Sequence, residues 1–273
     1  LFRSFVLRRG FLENILKKDI RAVIDECPEV GRILEEYNIG CAPCSVGSCL
    51  VSDVVGVHGL DPQTEATLMY KMEKALYPDR DIPEPKVDMS KVVPKEINYS
   101  PAVKNLVDEH VWIKRLLALI PTITDFVEKS ETVDKDLVMS CIDFIRGYAD
   151  KFHHMKEEDI LFKYVDEKSE IIKVMYDDHI TGRNHVKNVV EGAESGNKAQ
   201  IKEHLHGYRD LLTQHIKKED EILYPWIERQ MSDNQIGELF QRCSAADASV
   251  GEELPKKYEK FIIELEEKFA KEN

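Results

Sequence analysis

Two stretches of the chain carry the same pattern of metal-binding side chains. One reads His153-His-Met-Lys-Glu157-Glu-Asp-Ile-Leu-Phe, the other His215-Ile-Lys-Lys-Glu219-Asp-Glu-Ile-Leu-Tyr. Four residues along an α-helix turn through about 400°, a net rotation of about 40°, and rise about 6 Å. A histidine and a glutamate at that spacing share a face and can grip one metal centre. Two further histidines lie within apolar stripes of helical period: His110 among Leu106, Val107, Ile113 and Leu117, and His179 among Ile172, Met175, Val186 and Val190. His110 precedes His153 by 43 residues and His179 precedes His215 by 36. The chain therefore reads as a duplicated hairpin, each copy offering one stripe histidine and one HxxxE pair.

Four imidazoles and two carboxylates suit two metal ions. Each ion takes two histidines, both glutamates bridge the pair, and an oxo or hydroxo bridge leaves one octahedral position open on each. Imidazole with carboxylate favours iron or manganese over calcium or magnesium, and carboxylate-bridged pairs in helical bundles are commonly di-iron. Around this set, Tyr208 lies two turns before His215 and is a candidate to line an access path or donate a hydrogen bond. Gly182, one turn after His179, leaves room above the metals. His185 falls about 120° off the His179 face, and His204 about 16 Å along the helix from His215, so neither joins the site.

These residues need long helices to position them. The periodicity predicts helices from Ser100-Pro101 to about Ile120, from Asp134 to about Val165, from Ser169 to about Glu194, and from beyond Gly196-Asn197 to about Leu223, where Pro225 interrupts. Two amphipathic segments follow, after Ser232 and over 252–271. The expected fold is all-α: an antiparallel four-helix bundle with extra C-terminal helices, the last of which, with Phe261, Ile262, Leu265 and Phe269, packs on the bundle or makes a dimer contact. Five prolines between Pro78 and Pro101 mark a linker. The expected organisation is 1–77 as a small helical module, 78–99 as linker and 100–273 as the bundle. With 42% hydrophobic and 33% charged residues, the 273-residue chain can bury a sizeable core. Its net charge of −13 argues against nucleic acid or an anionic membrane as partner. No apolar run is long enough to cross a bilayer. The opening LFRSFVLRRGFL does not read as a secretory signal, so a cytoplasmic setting is expected.

The first module carries its own candidate site. Cys41, Cys44 and Cys49 fall within nine residues, in a loop containing Gly, Pro and Ser. Clustered cysteines in a reducing compartment read as metal ligands. An iron–sulfur cluster normally takes four thiolates. Cys27 and His58 are the candidates for the fourth corner, or one iron stays open, and tetrahedral zinc fits the same residues. Cys141 and Cys243 stand apart and read as small buried hydrophobes.

The region from Asn98 to Arg229 resembles the hemerythrin-like, HHE cation-binding di-iron proteins. The motifs that carry the resemblance are DEH at 108–110, HHMKEEDILF from 153, DDHITGR from 177 and HIKKEDEILYP from 215. It implies His110, His153, Glu157, His179, His215 and Glu219 as iron ligands. Either His153 or His154 can start the second motif; matching Glu157-Glu158-Asp159 with Glu219-Asp220-Glu221 selects His153. Oxygen-carrying hemerythrins have another histidine one turn along the third metal-binding helix, where this chain has Arg183. That departure points away from reversible O2 carriage and toward redox chemistry. PEVGRILEEYNIGCAPC followed by HGLDP resembles the N-terminal module of di-iron proteins that repair iron–sulfur clusters, with Cys49 additional. The resulting expectation is a stress-response or cluster-repair redox protein that binds O2, NO or a peroxide at the di-iron site. An N-terminal iron–sulfur cluster and a redox partner protein would supply its electrons. The alternative is a non-catalytic O2, NO or iron sensor, or an iron-binding protein.

Overall fold

The computed structural model describes residues 15–37, 39, 50–51, 54, 58, 60–85 and 99–271. The chain divides into two compact units between Ile97 and Asn98. No β-strand occurs among the described residues, and none of their helices is long and apolar enough to cross a membrane.

The first unit contains α1 (Ile20–Glu26), α2 (Pro28–Glu36) and α3 (Pro62–Leu76). Asp19 caps α1 by accepting the N–H groups of Arg21 and Ala22, and Asp61 caps α3 by accepting those of Gln63 and Thr64. Pro28 and Pro62 occupy the first helical turn, where a missing N–H costs nothing. Ile20, Val23, Val30, Leu34, Leu68 and Met72 form the core. Cys27 sits half-buried between α1 and α2, its thiol 3.7 Å from the Ala75 carbonyl. Cys41, Cys44 and Cys49 lie outside the described residues.

The second unit is built on four helical rods. The first is α4 (Pro101–Lys129). The second runs from α5 (Lys135–Phe144) through a π-helical segment (Ile145–His154) into α6 (Met155–Asp159) and a 3₁₀ turn (Leu161–Tyr164). The third is α7 (Glu170–Ser195). The fourth is α8 (Lys198–Lys218), a second π-helical segment (Glu219–Leu223) and α9 (Tyr224–Glu228). Then come α10 (Asp233–Val250), with a capping box between Ser232 and Gln235, and α11 (Glu253–Ala270). Gly196 closes α7 in the left-handed region, at φ 72°.

Two prolines behave differently from the sequence expectation. The first rod does not stop at Ile120 but carries Pro121 within it to Lys129. Ile123, Thr124 and Val127 beyond the proline are all buried, and that packing offsets the roughly 3 kcal/mol that proline costs inside a helix. Pro225 falls in the first turn of α9, just after the π-helical segment, so helical structure continues past it.

Buried side chains from all four rods meet α11 in one core, among them Ile120, Ile142, Val189, Leu205 and Ile262. Cys141 and Cys243 are buried, and burial pushes their thiols up to about 12 and about 11. The phenol of Tyr258 on α11 lies directly over Gly147 in the first π-helical segment, where a Cβ would sit 1.9 Å from its hydroxyl oxygen. Gly147→Ala must therefore displace Tyr258 and open the contact with α11. A loss of about 1–3 kcal/mol in urea unfolding is expected, and unchanged stability would show that the contact is not formed.

Candidate metal centre

Five imidazoles and two carboxylates point into the interior of the second unit. His110, His153, His154, Glu157, His179, His215 and Glu219 are all buried. They form two groups, His110–His153–Glu157–Glu219 and His154–Glu157–His179–His215, and within each group the candidate ligand atoms lie within 4.8 Å of one another. Glu157 belongs to both groups, its Oε2 being 3.7 Å from His153 Nε2 and 3.5 Å from His179 Nε2. Glu219 also spans them, with Oε2 3.3 Å from His110 Nε2 and Oε1 2.9 Å from His215 Nε2. The last contact is close but poorly aligned. Both Glu219 oxygens, Glu157 Oε2 and the Nε2 atoms of His110 and His153 make no well-formed hydrogen bond. Buried lone pairs left this way are unfavourable by about 1–3 kcal/mol each. A cation between them satisfies them all, so the donor set fits a metal pair.

The opposite edge of four of the rings is tied down. His110 Nδ1 is 2.7 Å from Asp220, His153 Nδ1 2.8 Å from Glu109, His179 Nδ1 2.6 Å from Glu158, and His215 Nδ1 3.2 Å from Asp178. With Nδ1–H donating to a carboxylate, the Nε2 lone pair is directed inward. Each carboxylate in turn meets a cation: Lys156 on Glu109, Lys218 on Asp178, Lys114 on Asp220 and Arg183 on Glu158.

These contacts repeat with a two-fold pattern. Glu109 and Asp178 each precede a stripe histidine and accept from the HxxxE histidine of the next rod. Glu158 and Asp220 each follow an HxxxE glutamate and accept from His179 and His110, in the opposite hairpin. Lys156 and Lys218 lie three residues after their HxxxE histidines, Lys114 and Arg183 four after their stripe histidines. Phe162 and Tyr224, nine residues after the HxxxE histidines, stack on His179 and His110 at 6.4 and 5.8 Å.

The sequence pattern selects His153 over His154, whereas the structure brings both rings inside. Adjacent residues on an α-helix diverge by about 100°. The π-helical segment ending at His154 has a wider turn, and both imidazoles face the interior with ring centroids 5.6 Å apart. Also missed was Tyr224, whose buried hydroxyl donates to Glu157 Oε1 at 2.5 Å. The repeated [DE]-H-x3-[KR] and H-x2-K-E-[DE] patterns were the legible signal for the supporting carboxylates and cations. His185 and His204 pair with each other at 3.1 Å and His206 with Thr124, apart from the cluster. Cys27 lies in the other unit.

A cavity of about 170 Å³ opens at one end of the cluster. Its lining includes His154, His179, Gly182, Arg183, Asp150 and Tyr208. At the other end the counterpart of Gly182 is Ile113, which is buried. The Tyr208 hydroxyl is buried without a hydrogen-bond partner, and burial pushes the phenol well above its ordinary range. Burial also lowers His153, His154 and His179, favouring the neutral rings that bind metals. For His215 burial opposes protonation, but Glu219 and Asp178 outweigh it and raise the ring to about 9.

Residues 102–227 match the hemerythrin HHE cation binding domain, and both groups of buried histidines and glutamates that could hold a metal ion fall within the matched region. Neither a curated protein nor a solved structure matches the chain.

Burial and the facing Glu219 push the Glu157 carboxyl well above the usual range. For Glu219 burial acts in the same direction, but His215 and His110 outweigh it and hold the group well below. A raised folded-state value means the native state keeps a proton that the unfolded chain releases. Its stabilising effect is therefore complete below the ordinary glutamate range and is lost as pH rises. On that side of the range Glu157 lowers the stability of metal-free protein as pH rises, while the lowered His153, His154 and His179 act in the opposite direction. Glu157→Gln should remove the Glu157 contribution and make the slope of stability against pH more positive in urea titrations, while sharply weakening iron binding. An unchanged slope refutes the assignment.

Proposed function

We propose that the second unit is an antiparallel four-helix bundle holding two iron ions. His110, His153, Glu157, His179, His215 and Glu219 would hold them, and the protein acts as a redox protein toward a small oxidant such as O2, NO or a peroxide. The observation that carries this reading is the pair of facing histidine–glutamate groups, in which Glu157 Oε2, both Glu219 oxygens and the Nε2 atoms of His110 and His153 have no hydrogen-bond partner. Bound iron supplies electron exchange with the oxidant. The chain's own residues do the rest. The carboxylates behind the imidazoles hold the rings in the ligand tautomer. Gly182 leaves the space through which a small molecule approaches. Arg183 places positive charge at the mouth, and the Tyr208 hydroxyl is a hydrogen-bond donor with no protein acceptor, suited to a small anionic or diatomic guest.

Electron supply from the first unit, by an iron–sulfur cluster on Cys41, Cys44 and Cys49 with Cys27 as fourth thiolate, belongs to the same proposal and rests on the sequence pattern. Iron and acid-labile sulfide measured on protein purified without air test it. About six irons with about four sulfides support both centres. About two irons without sulfide leave the bundle site alone and favour sensing or iron donation.

Access is tested at Gly182. A Cβ there would meet Leu212 and Tyr208 at 3.5 Å, ordinary contact distance, so alanine fits the fold while narrowing the cavity. Gly182→Ala is expected to retain two irons per chain and to slow azide or NO binding in stopped flow by several-fold. Unchanged binding rates would place the entry route elsewhere.

A further inference from the structure

The two-fold pattern is broken by a linked pair of residues. Where the fourth rod has Leu212 and Ile216, the second has Asp150 and His154. Both differences sit at the end of the cluster that carries the cavity. A single core histidine reads as structural. A histidine with its own carboxylate, placed where its counterpart and that residue's neighbour are both aliphatic, reads as part of a built site.

We propose that His154 is a fifth imidazole ligand of the metal pair, with Asp150 and Arg183 as its positioning residues. This makes the two metal positions chemically unequal, three imidazoles beside the cavity and two at the closed end. It rests on the di-iron reading above and goes beyond the six ligands of that reading.

Four observations carry it. His154 is buried in the same group as His179, His215 and Glu157. The π-helical segment turns it inward beside His153. Its Nδ1 faces Asp150 Oδ1 at 3.7 Å, continuing in looser form the carboxylate arrangement behind the other four rings. Finally, Arg183 holds Asp150 and Glu158 at once, both at 2.7 Å, and so ties the carboxylate behind His154 to the one behind His179. Its counterpart Lys114 meets Asp220 alone among the carboxylates behind the rings. The other three histidines of the second unit are paired differently: His185 faces His204, and His206 faces a threonine hydroxyl.

The test uses the full chain, stripped of metal and loaded with iron-57(II) without sulfide. Iron affinity is read by chelator competition and the metal environment by Mössbauer spectroscopy. The wild type is expected to bind two irons per chain and to give two quadrupole doublets of equal area. His154→Ile, which installs the residue of the matching position, and His154→Gln, which retains polarity and approximate size, should each weaken one iron at least tenfold and shift one doublet. Asp150→Leu should weaken the same iron by about tenfold, the scale of lost outer contacts to a ligand, with Asp150→Glu restoring it. His185→Leu, outside the cluster, should change neither readout. If both His154 variants bind two irons with unchanged affinity and doublets, the fifth-ligand proposal is overturned and the di-iron reading stands. If the wild type binds no iron, both fall.

Discussion

Lone pairs that face one another away from water govern the second unit. Glu219 presents two carboxylate oxygens, Glu157 one, and His110 and His153 their Nε2 atoms, all buried and none well hydrogen-bonded within the protein. Without a cation, two carboxylates in this setting cannot both ionise freely, and one is driven to hold a proton while its neighbour stays charged. The surrounding structure is arranged around that constraint. Imidazoles are turned by carboxylates, carboxylates are held by lysines and an arginine, and aromatic rings cover two of the imidazoles.

This arrangement is a two-fold device with an asymmetric end. Equivalent positions in the two hairpins supply equivalent contacts, down to the cation behind each carboxylate. The departures gather at one mouth: glycine in place of isoleucine at 182, histidine in place of isoleucine at 154, aspartate in place of leucine at 150. Space, an additional imidazole and its anchor are therefore concentrated where Tyr208 and Arg183 border the cavity. The other mouth is filled by Ile113 and capped by Tyr224, whose hydroxyl occupies the remaining oxygen of Glu157.

The parts of this site that obey the α-helical period were legible in the sequence. The two HxxxE pairs and the two stripe histidines lie at α-helical spacings, and the structure brings all six side chains together. Gly182 and Tyr208 were singled out the same way, from their distance in turns, and both line the cavity. His154 was not, because a period of 3.6 allows only one of two adjacent histidines to face inward, and the widened turn suspends that rule. The supporting carboxylates were visible only as acidic neighbours of the motifs, since each acts on a histidine of a different rod. Pro121 misled for a related reason: local preference marks it as a stop, and burial of Ile123 and Val127 carries the helix onward. The thiolate cluster at Cys41, Cys44 and Cys49 has no geometry among the described residues.

A π-helical turn holds one more residue than the α-helical turn it replaces. Deleting a single residue between Ile145 and Phe152 would let the rod close back into a regular helix. Everything before the deletion would then swing by about 100° relative to everything after it. Gly147 would no longer lie beneath Tyr258, and the two adjacent imidazoles would diverge. The number of histidines facing the interior of the cluster is therefore set by chain length as well as by residue identity. In a bundle of this kind, a one-residue insertion or deletion can change the donor set without exchanging any of its side chains.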